Sequence, residues 1–319
     1  MNTKIEHFCT LFDSNFLPMG MNLHSSLINH AQPFHLWIIC MDELVEKQLK
    51  KLALSNVTLI SLQEIETDEL LTVKKQRSQG EYCWTMTPFT FTKVFKIDSS
   101  IERVTYLDAD LFFFRDPRIL IKELVDNNRH ILITEHAYAP EYDSTNISGR
   151  FCVQFLSVNN QSDGIKVIKW WQDRCLEWCF NRVEDGKFGD QRYLDSWIYL
   201  FPEIIWISQQ KENILAPWNV KYFTGGFDKT KQFFPVFYHF HGLRIFNYPY
   251  ILLNISYKLG KYANIFYDNY IEVLKDNIKI IKNNGYSIPS IPVKKLQGFR
   301  GKLKSLKLMI QKRLQIQKL

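Results

Sequence analysis

The chain has 319 residues, of which 46% are hydrophobic and 15% aromatic, enough to bury a sizeable core in one large domain or two small ones. Its net charge of +7 is unevenly placed: nine Lys or Arg and no Asp or Glu fall between Lys294 and Leu319, which leaves 31 basic against 33 acidic residues elsewhere. No window reaches the roughly 18 uninterrupted apolar residues of a membrane span, and the amino terminus lacks the basic-then-apolar pattern of a secretory leader, so a soluble or peripheral protein is expected.

In chain order, Phe8 to Phe12 reads as a first strand, followed by the turn-forming Asp13, Ser14 and Asn15 and a helix from Phe16 to Asn29. His35 to Met41 is an apolar strand, Glu43 to Lys51 a helix, and Val57 to Ile60 a short strand. Asp68 to Glu81 is polar, a helix and loop, and Thr87-Pro88 is where a helix reaching Lys96 would begin. Val104 to Leu107 is the next strand, and Pro117 marks a first helical turn. Strands follow at Ile131 to Thr134 and Phe151 to Val158, then a long helix from Asp163 to Phe180 and strands at Ile204 to Ile207 and Val236 to Phe240. This alternation predicts an α/β fold built from parallel βαβ units. No linker-like tract marks an interior boundary, so a main domain over residues 1–247 is expected, with a helical extension over 248–319. The six cysteines are scattered in apolar surroundings; Cys175 and Cys179 have no His or Cys partner at zinc spacing, so packing in a reducing cytosol fits them.

The most informative stretch is Val104-Thr105-Tyr106-Leu107-Asp108-Ala109-Asp110, an apolar strand that ends in two carboxylates. Burying unpaired carboxylates is costly, and a divalent cation is an economical compensation. Taken alone, the pair reads more readily as a strand end whose acids cap the next segment or pair with Arg115, and it is the flanking sequence that turns the reading to a cation. Asp13, Asp108, Asp110 and His239 all fall at or near strand carboxyl ends, where open α/β sheets bind ligands.

Three ordered segments carry a family resemblance: Tyr106-Leu107-Asp108-Ala109-Asp110 with Phe112 to Pro117, Gly189-Asp190-Gln191-Arg192-Tyr193-Leu194-Asp195, and Tyr238-His239-Phe240-His241-Gly242. With a weaker match at Asp13-Ser14-Asn15-Phe16, the chain resembles nucleotide-sugar glycosyltransferases of the GT-A fold, most nearly the family 8 type that includes glycogenin and lipopolysaccharide galactosyltransferases. The resemblance spans about residues 8 to 244 and implies a Rossmann-like, mostly parallel sheet flanked by helices and a hexosyltransferase activity. It implies that Asp108, Asp110 and His239 hold a cation, with Mn²⁺ favoured over Mg²⁺ because an imidazole is among the ligands. For His239 the other reading is a core histidine on an aromatic strand. Asp190 and Gln191 are implied to lie beside the transferred sugar, with Gln191 stabilising the developing sugar cation in a retaining transfer; Asp190 also fits a helix cap. Phe16 would stack on the nucleobase and Asp13 and Asn15 would bind base or ribose, although plain turn chemistry accounts for them as well. His241 is a candidate for the diphosphate or the acceptor, and Arg244 for the diphosphate. Lys93 is another donor contact, or an ordinary surface lysine. The family often carries Asn-x-Gly where this chain has Cys152-Val153-Gln154, and the Lys-Pro-Trp that often follows the last motif is absent here, so the sugar pocket and the diphosphate lysine are expected to differ.

The basic tail interleaves Leu296, Phe299, Leu303, Leu306, Met309, Ile310, Leu314 and Ile316 at near-helical spacing, which predicts an amphipathic helix over 294–319 for an anionic membrane surface and not for nucleic acid. The expectation is a cytoplasmic enzyme peripheral to the inner membrane face, moving a sugar from a nucleoside-diphosphate sugar, UDP most readily, to a glycan or lipid-linked acceptor in polysaccharide or lipopolysaccharide synthesis. The alternatives are a sugar nucleotidyltransferase, which usually needs a Gly-rich loop where residues 8–24 have only Gly20, and an inactive sugar- or lipid-binding protein.

Overall fold

The computed structural model describes residues 4–225, 233–290 and 315–319. In chain order the strands are β1 (Glu6–Phe12), β2 (Phe34–Cys40), β3 (Val57–Ser61), β4 (Arg103–Leu107), β5 (Leu111–Phe113), β6 (Ile131–Glu135), β7 (Phe151–Asn159), β8 (Ile205–Ile207), β9 (Ile214–Leu215), β10 (Phe237–His239), β11 (Arg244–Asn247), β12 (Tyr250–Asn254) and β13 (Gln315–Lys318). Seven of them form the main sheet, in the order β3-β2-β1-β4-β7-β6-β8. All neighbours are parallel except β7, which runs antiparallel to both β4 and β6. This is the expected α/β fold with a mostly parallel central sheet.

The strands are near-continuous apolar runs because both faces of the sheet are covered. Successive residues of β2 alternate between the two cores: Leu36, Ile38 and Cys40 face one cluster, while Trp37 and Ile39 face the other. The helix Leu17–His30 carries Pro18 in its first turn, where a missing amide costs nothing. The helix expected to begin at Thr87-Pro88 instead spans Gln79–Ile97 and runs through Pro88. Its true start is a capping box, in which Ser78 and Glu81 bond reciprocally to each other's ends of the first turn. All six cysteines are free thiols, five of them buried.

After Leu107 the chain leaves the main sheet, turns through Asp108-Ala109-Asp110, and enters β5 of a second sheet ordered β5-β10-β9. β10 pairs antiparallel with β5, with His239 opposite Leu111. This register sets His239 beside the acidic turn.

The extension expected to be helical holds the helix Asn264–Asn283, whose apolar face packs on the helix Leu17–His30, but also a third sheet ordered β11-β12-β13. Residues 294–314 of the expected amphipathic tail lie outside the described residues. Its end, Gln315–Lys318, is a strand and not helix, paired antiparallel with β12. Among the described residues no helix is long and apolar enough to cross a membrane.

Candidate active site

Asp108, Asp110 and His239 converge with ligand atoms all within 4.8 Å of one another. His239 Nε2 lies 3.0 Å from Asp110 Oδ1 and 3.8 Å from Asp108 Oδ2. Phe240 N–H donates to the Asp110 carbonyl at 2.9 Å, which clamps the strand carrying His239 to the acidic turn. Arg115 does not pair with either acid; its guanidinium donates to Asn213 Oδ1 at 3.1 Å.

The electrostatics are those of a charge cluster taken out of water. Burial raises the Asp108 carboxyl to about 6, against the opposing pull of His239. Asp110 is also enclosed, yet the adjoining imidazole holds it well below the usual carboxylate range. Burial would depress His239, but Asp110 overrides it and keeps the imidazolium favoured well above its usual range. Two carboxylates and an imidazole in contact could hold a divalent metal ion, which would take the place of the imidazolium proton.

The other ring nitrogen of His239 meets a group that motif reading did not assign to it. Nδ1 lies 2.7 Å from Gln154 Oε1, and the Gln154 carbonyl accepts the Asp108 amide at 3.0 Å. Gln154 is on β7, and because that strand is antiparallel its early residues lie at the carboxyl end of β4. Trp218 was missed as well. Its ring stands edge-on to His239 at 5.5 Å and to His241 at 5.4 Å, and its Nε1 donates to the His136 carbonyl at 2.6 Å. His136 is buried, held neutral by desolvation at about 3, and stacked on Tyr138 at 4.7 Å. The only local signal for this wall is the run Pro217-Trp218-Asn219 after an apolar strand.

Asp190 and Gln191 follow Gly189, which adopts φ +53° with Trp84 3.3 Å from where a Cβ would stand. Asp190 makes no side-chain capping bond to the turn Gln191–Tyr193 that it precedes. Burial, and then the Asp108 charge, raise its carboxyl to about 8, so it is mostly protonated at neutral pH. Gln191 Nε2 donates to the Ser148 carbonyl at 2.9 Å.

Asp13 realises the turn chemistry: it accepts from the Asn15 and Phe16 amides at 3.0 and 3.2 Å, from Asn15 Nδ2 at 3.2 Å, and from Gln79 Nε2 at 2.6 Å. Phe16 meets Arg244, whose guanidinium lies 4.7 Å over the ring. Arg244 in turn is close enough to lower the Asp110 carboxyl. Lys93 is not brought to this cluster. Its Nζ donates to the Glu64 carbonyl at 2.6 Å, beside β3, with β2 and β1 between that edge and β4. At nearly 5 Å per strand, that edge is about 14 Å from β4.

No protein-family model matches the chain. It is 34% identical over 249 residues to the uncharacterized protein YfnF of Bacillus subtilis (strain 168), covering 75% of this chain and 82% of YfnF. It is 30% identical over 250 residues to YfnD of the same organism, covering 75% and 78%. The chain belongs to the YfnF and YfnD family. Among solved structures, the galactosyltransferase LgtC in complex with donor and acceptor sugar analogues matches with a TM-score of 0.52 at 11% identity, over 85% of this chain and 95% of LgtC. At that identity the likeness is one of fold, and it gives this member of the YfnF family the GT-A glycosyltransferase architecture. The carboxylate–histidine cluster of this chain lies at the carboxyl end of β4.

Proposed function

We propose that this chain is a glycosyltransferase that moves a sugar from a nucleoside-diphosphate sugar, UDP most readily, to a glycan or lipid-linked acceptor, with retention of configuration and with Mn²⁺ or Mg²⁺ at Asp108, Asp110 and His239. The observation that carries the reading is the convergence of those three side chains at the carboxyl end of β4, the central strand of a GT-A sheet. A bound divalent cation supplies Lewis-acid neutralisation of the diphosphate as it leaves.

The chain's own groups take the remaining roles. The turn held by Asp13 presents Asn15 to the base or ribose and Phe16 to the base. Arg244, between Phe16 and Asp110, meets the diphosphate, and His241 meets the diphosphate or the acceptor. Asp190, with a proton on its carboxyl, donates to a sugar hydroxyl. The amide nitrogen of Gln191 is held by Ser148, and its amide oxygen stabilises positive charge at the anomeric carbon in a front-side displacement, a role that needs no strong nucleophile. A peripheral position at the cytoplasmic face of a membrane and a part in cell-surface glycan synthesis fit the basic tail.

The test is a screen of nucleotide-sugar hydrolysis with Mn²⁺ and with excess chelator, followed by NMR of the released sugar to read its anomeric configuration. Metal-dependent turnover with retained configuration is expected. No turnover with any donor, or full turnover in chelator, overturns the reading.

A further inference from the structure

We propose that Gln154 is a positioning residue for the cation site, fixing the tautomer of His239 so that Nε2 faces the carboxylates as a ligand. The inference rests on the cation site proposed above and concerns a residue at which this chain departs from the motif it otherwise resembles.

An imidazole coordinates through one nitrogen, and the hydrogen bond made by the other decides which one. The ring nitrogens of His239 face Asp110 Oδ1, 3.0 Å from Nε2, and Gln154 Oε1, 2.7 Å from Nδ1, and the Cys152 thiol also interacts with the ring. A side-chain amide presents either an oxygen that accepts or a nitrogen that donates, so the amide's orientation has to be fixed for the tautomer to be fixed. Here it is fixed from behind. The Thr134 hydroxyl donates towards the Cys152 carbonyl and its oxygen accepts from Gln154 Nε2, both at 3.5 Å. With Nε2 turned to Thr134, Oε1 faces His239 and accepts the Nδ1 proton. These contacts are long individually, but Gln154 and His239 are both buried, and turning the amide over would bring two N–H donors face to face.

Gln154 also acts on the second strand of the site. Its backbone carbonyl receives the Asp108 amide at 3.0 Å, one step beyond the Leu107–Phe155 pair of the β4–β7 ladder. One residue thus anchors ligands from both sheets: Asp108 through the main chain and His239 through the side chain. This joint exists because β7 runs antiparallel.

The experiment compares wild type with Gln154→Leu, Gln154→Glu and His239→Ala. Mn²⁺ affinity is read from the free-ion signal in electron paramagnetic resonance, and the His239 Nδ1 proton from its downfield, exchange-protected resonance in the metal-free protein. Gln154→Leu is expected to lose the resonance and weaken Mn²⁺ binding by about 10–100-fold. Gln154→Glu, which keeps an acceptor oxygen, is expected to retain both. If Gln154→Leu binds Mn²⁺ as wild type does while His239→Ala does not, Gln154 has no positioning role. A glutamate variant as weak as the leucine variant, with the resonance absent from wild type, overturns it too and keeps the test decisive if leucine disturbs folding. Failure of wild type itself to bind Mn²⁺ sinks the cation reading, and is told apart by a resonance that persists in wild type and vanishes in Gln154→Leu.

Discussion

His239 Nε2 and Asp110 Oδ1 lie 3.0 Å apart although 129 residues separate them in the chain. In the metal-free protein a proton sits in that gap, because Asp110 favours the imidazolium more than burial opposes it. A cation at this site must displace that proton. Affinity for Mn²⁺ is therefore expected to rise with pH, since the competing proton is held below the raised His239 value and is lost above it, and protonation of Asp108 near 6 weakens binding further on the acid side. Calorimetry in buffers of different ionisation enthalpy should detect proton release near neutral pH. His239→Ala should abolish the release and weaken binding more than His241→Ala does; equal release in the alanine variant would place the proton elsewhere.

Asp110→Asn is expected to abolish metal-dependent turnover with little loss of folding. An asparagine oxygen can still meet His239 Nε2, so the contact that joins β5 and β10 is kept in outline while the charge that draws a cation is removed. Circular dichroism melting and a donor-hydrolysis assay read the two effects separately.

Asp190 gives a stability prediction of definite sign. Its carboxyl is raised from 3.8 to about 8 by burial, so the folded chain holds this proton more tightly than the unfolded chain. Between those values the native state binds more protons, and the contribution of Asp190 to stability falls as pH rises. Relative to wild type, Asp190→Asn should be near neutral at pH 4 and more stable at pH 8 by on the order of a few kcal/mol. Urea denaturation at the two pH values measures this, and a difference that does not grow with pH contradicts it.

Gln191→Ala is expected to lower kcat by about 10²-fold or more with nucleotide affinity nearly unchanged, because a group that acts on the developing sugar cation contributes mainly in the transition state. A variant defective only in nucleotide binding would move Gln191 out of the sugar pocket.

For the tail, neutralising Lys294, Lys295, Arg300, Lys302, Lys304, Lys307, Lys312 and Arg313 to Gln should leave donor hydrolysis intact and reduce sedimentation with anionic vesicles, each charge contributing about 1 kcal/mol at most. Substitution is preferable to truncation because it leaves β13 in place. Wild type that ignores such vesicles removes the main support for a membrane acceptor.

The parallel half of the fold was legible because β1, β2 and β4 are continuous apolar runs that end in turn-forming or acidic residues, and the acids at those ends follow from strand polarity alone. What local pattern does not carry is strand direction. Phe151 to Asn159 reads the same in either sense, and with a parallel assumption its first residues would lie at the far end of the sheet, so Gln154 could be seen as a departure from a motif but not as a partner of His239. The start at Pro88 failed for a different reason. Proline at a first turn is a strong cue, and the true cap, Ser78 with Glu81, lies in a polar stretch that has no apolar stripe to announce it. Lys93 lies on that same helix, but nothing in its own neighbourhood says that its ammonium reaches Glu64. The pairing of β12 with β13 joins segments about 60 residues apart and leaves no signature in either.

That last pairing has a practical side. Leu252 on β12 is opposite Arg244 on one edge and Ile316 on the other, so the end of the chain is in register, two hydrogen-bonded rungs away, with the guanidinium that covers Phe16. A substitution within Gln315–Lys318 that weakens its pairing with β12 therefore works directly on the strand next to Leu252 and so bears on how Arg244 is seated. Kinetic constants measured on variants altered in that strand report on the seating of Arg244 as well as on the residue changed.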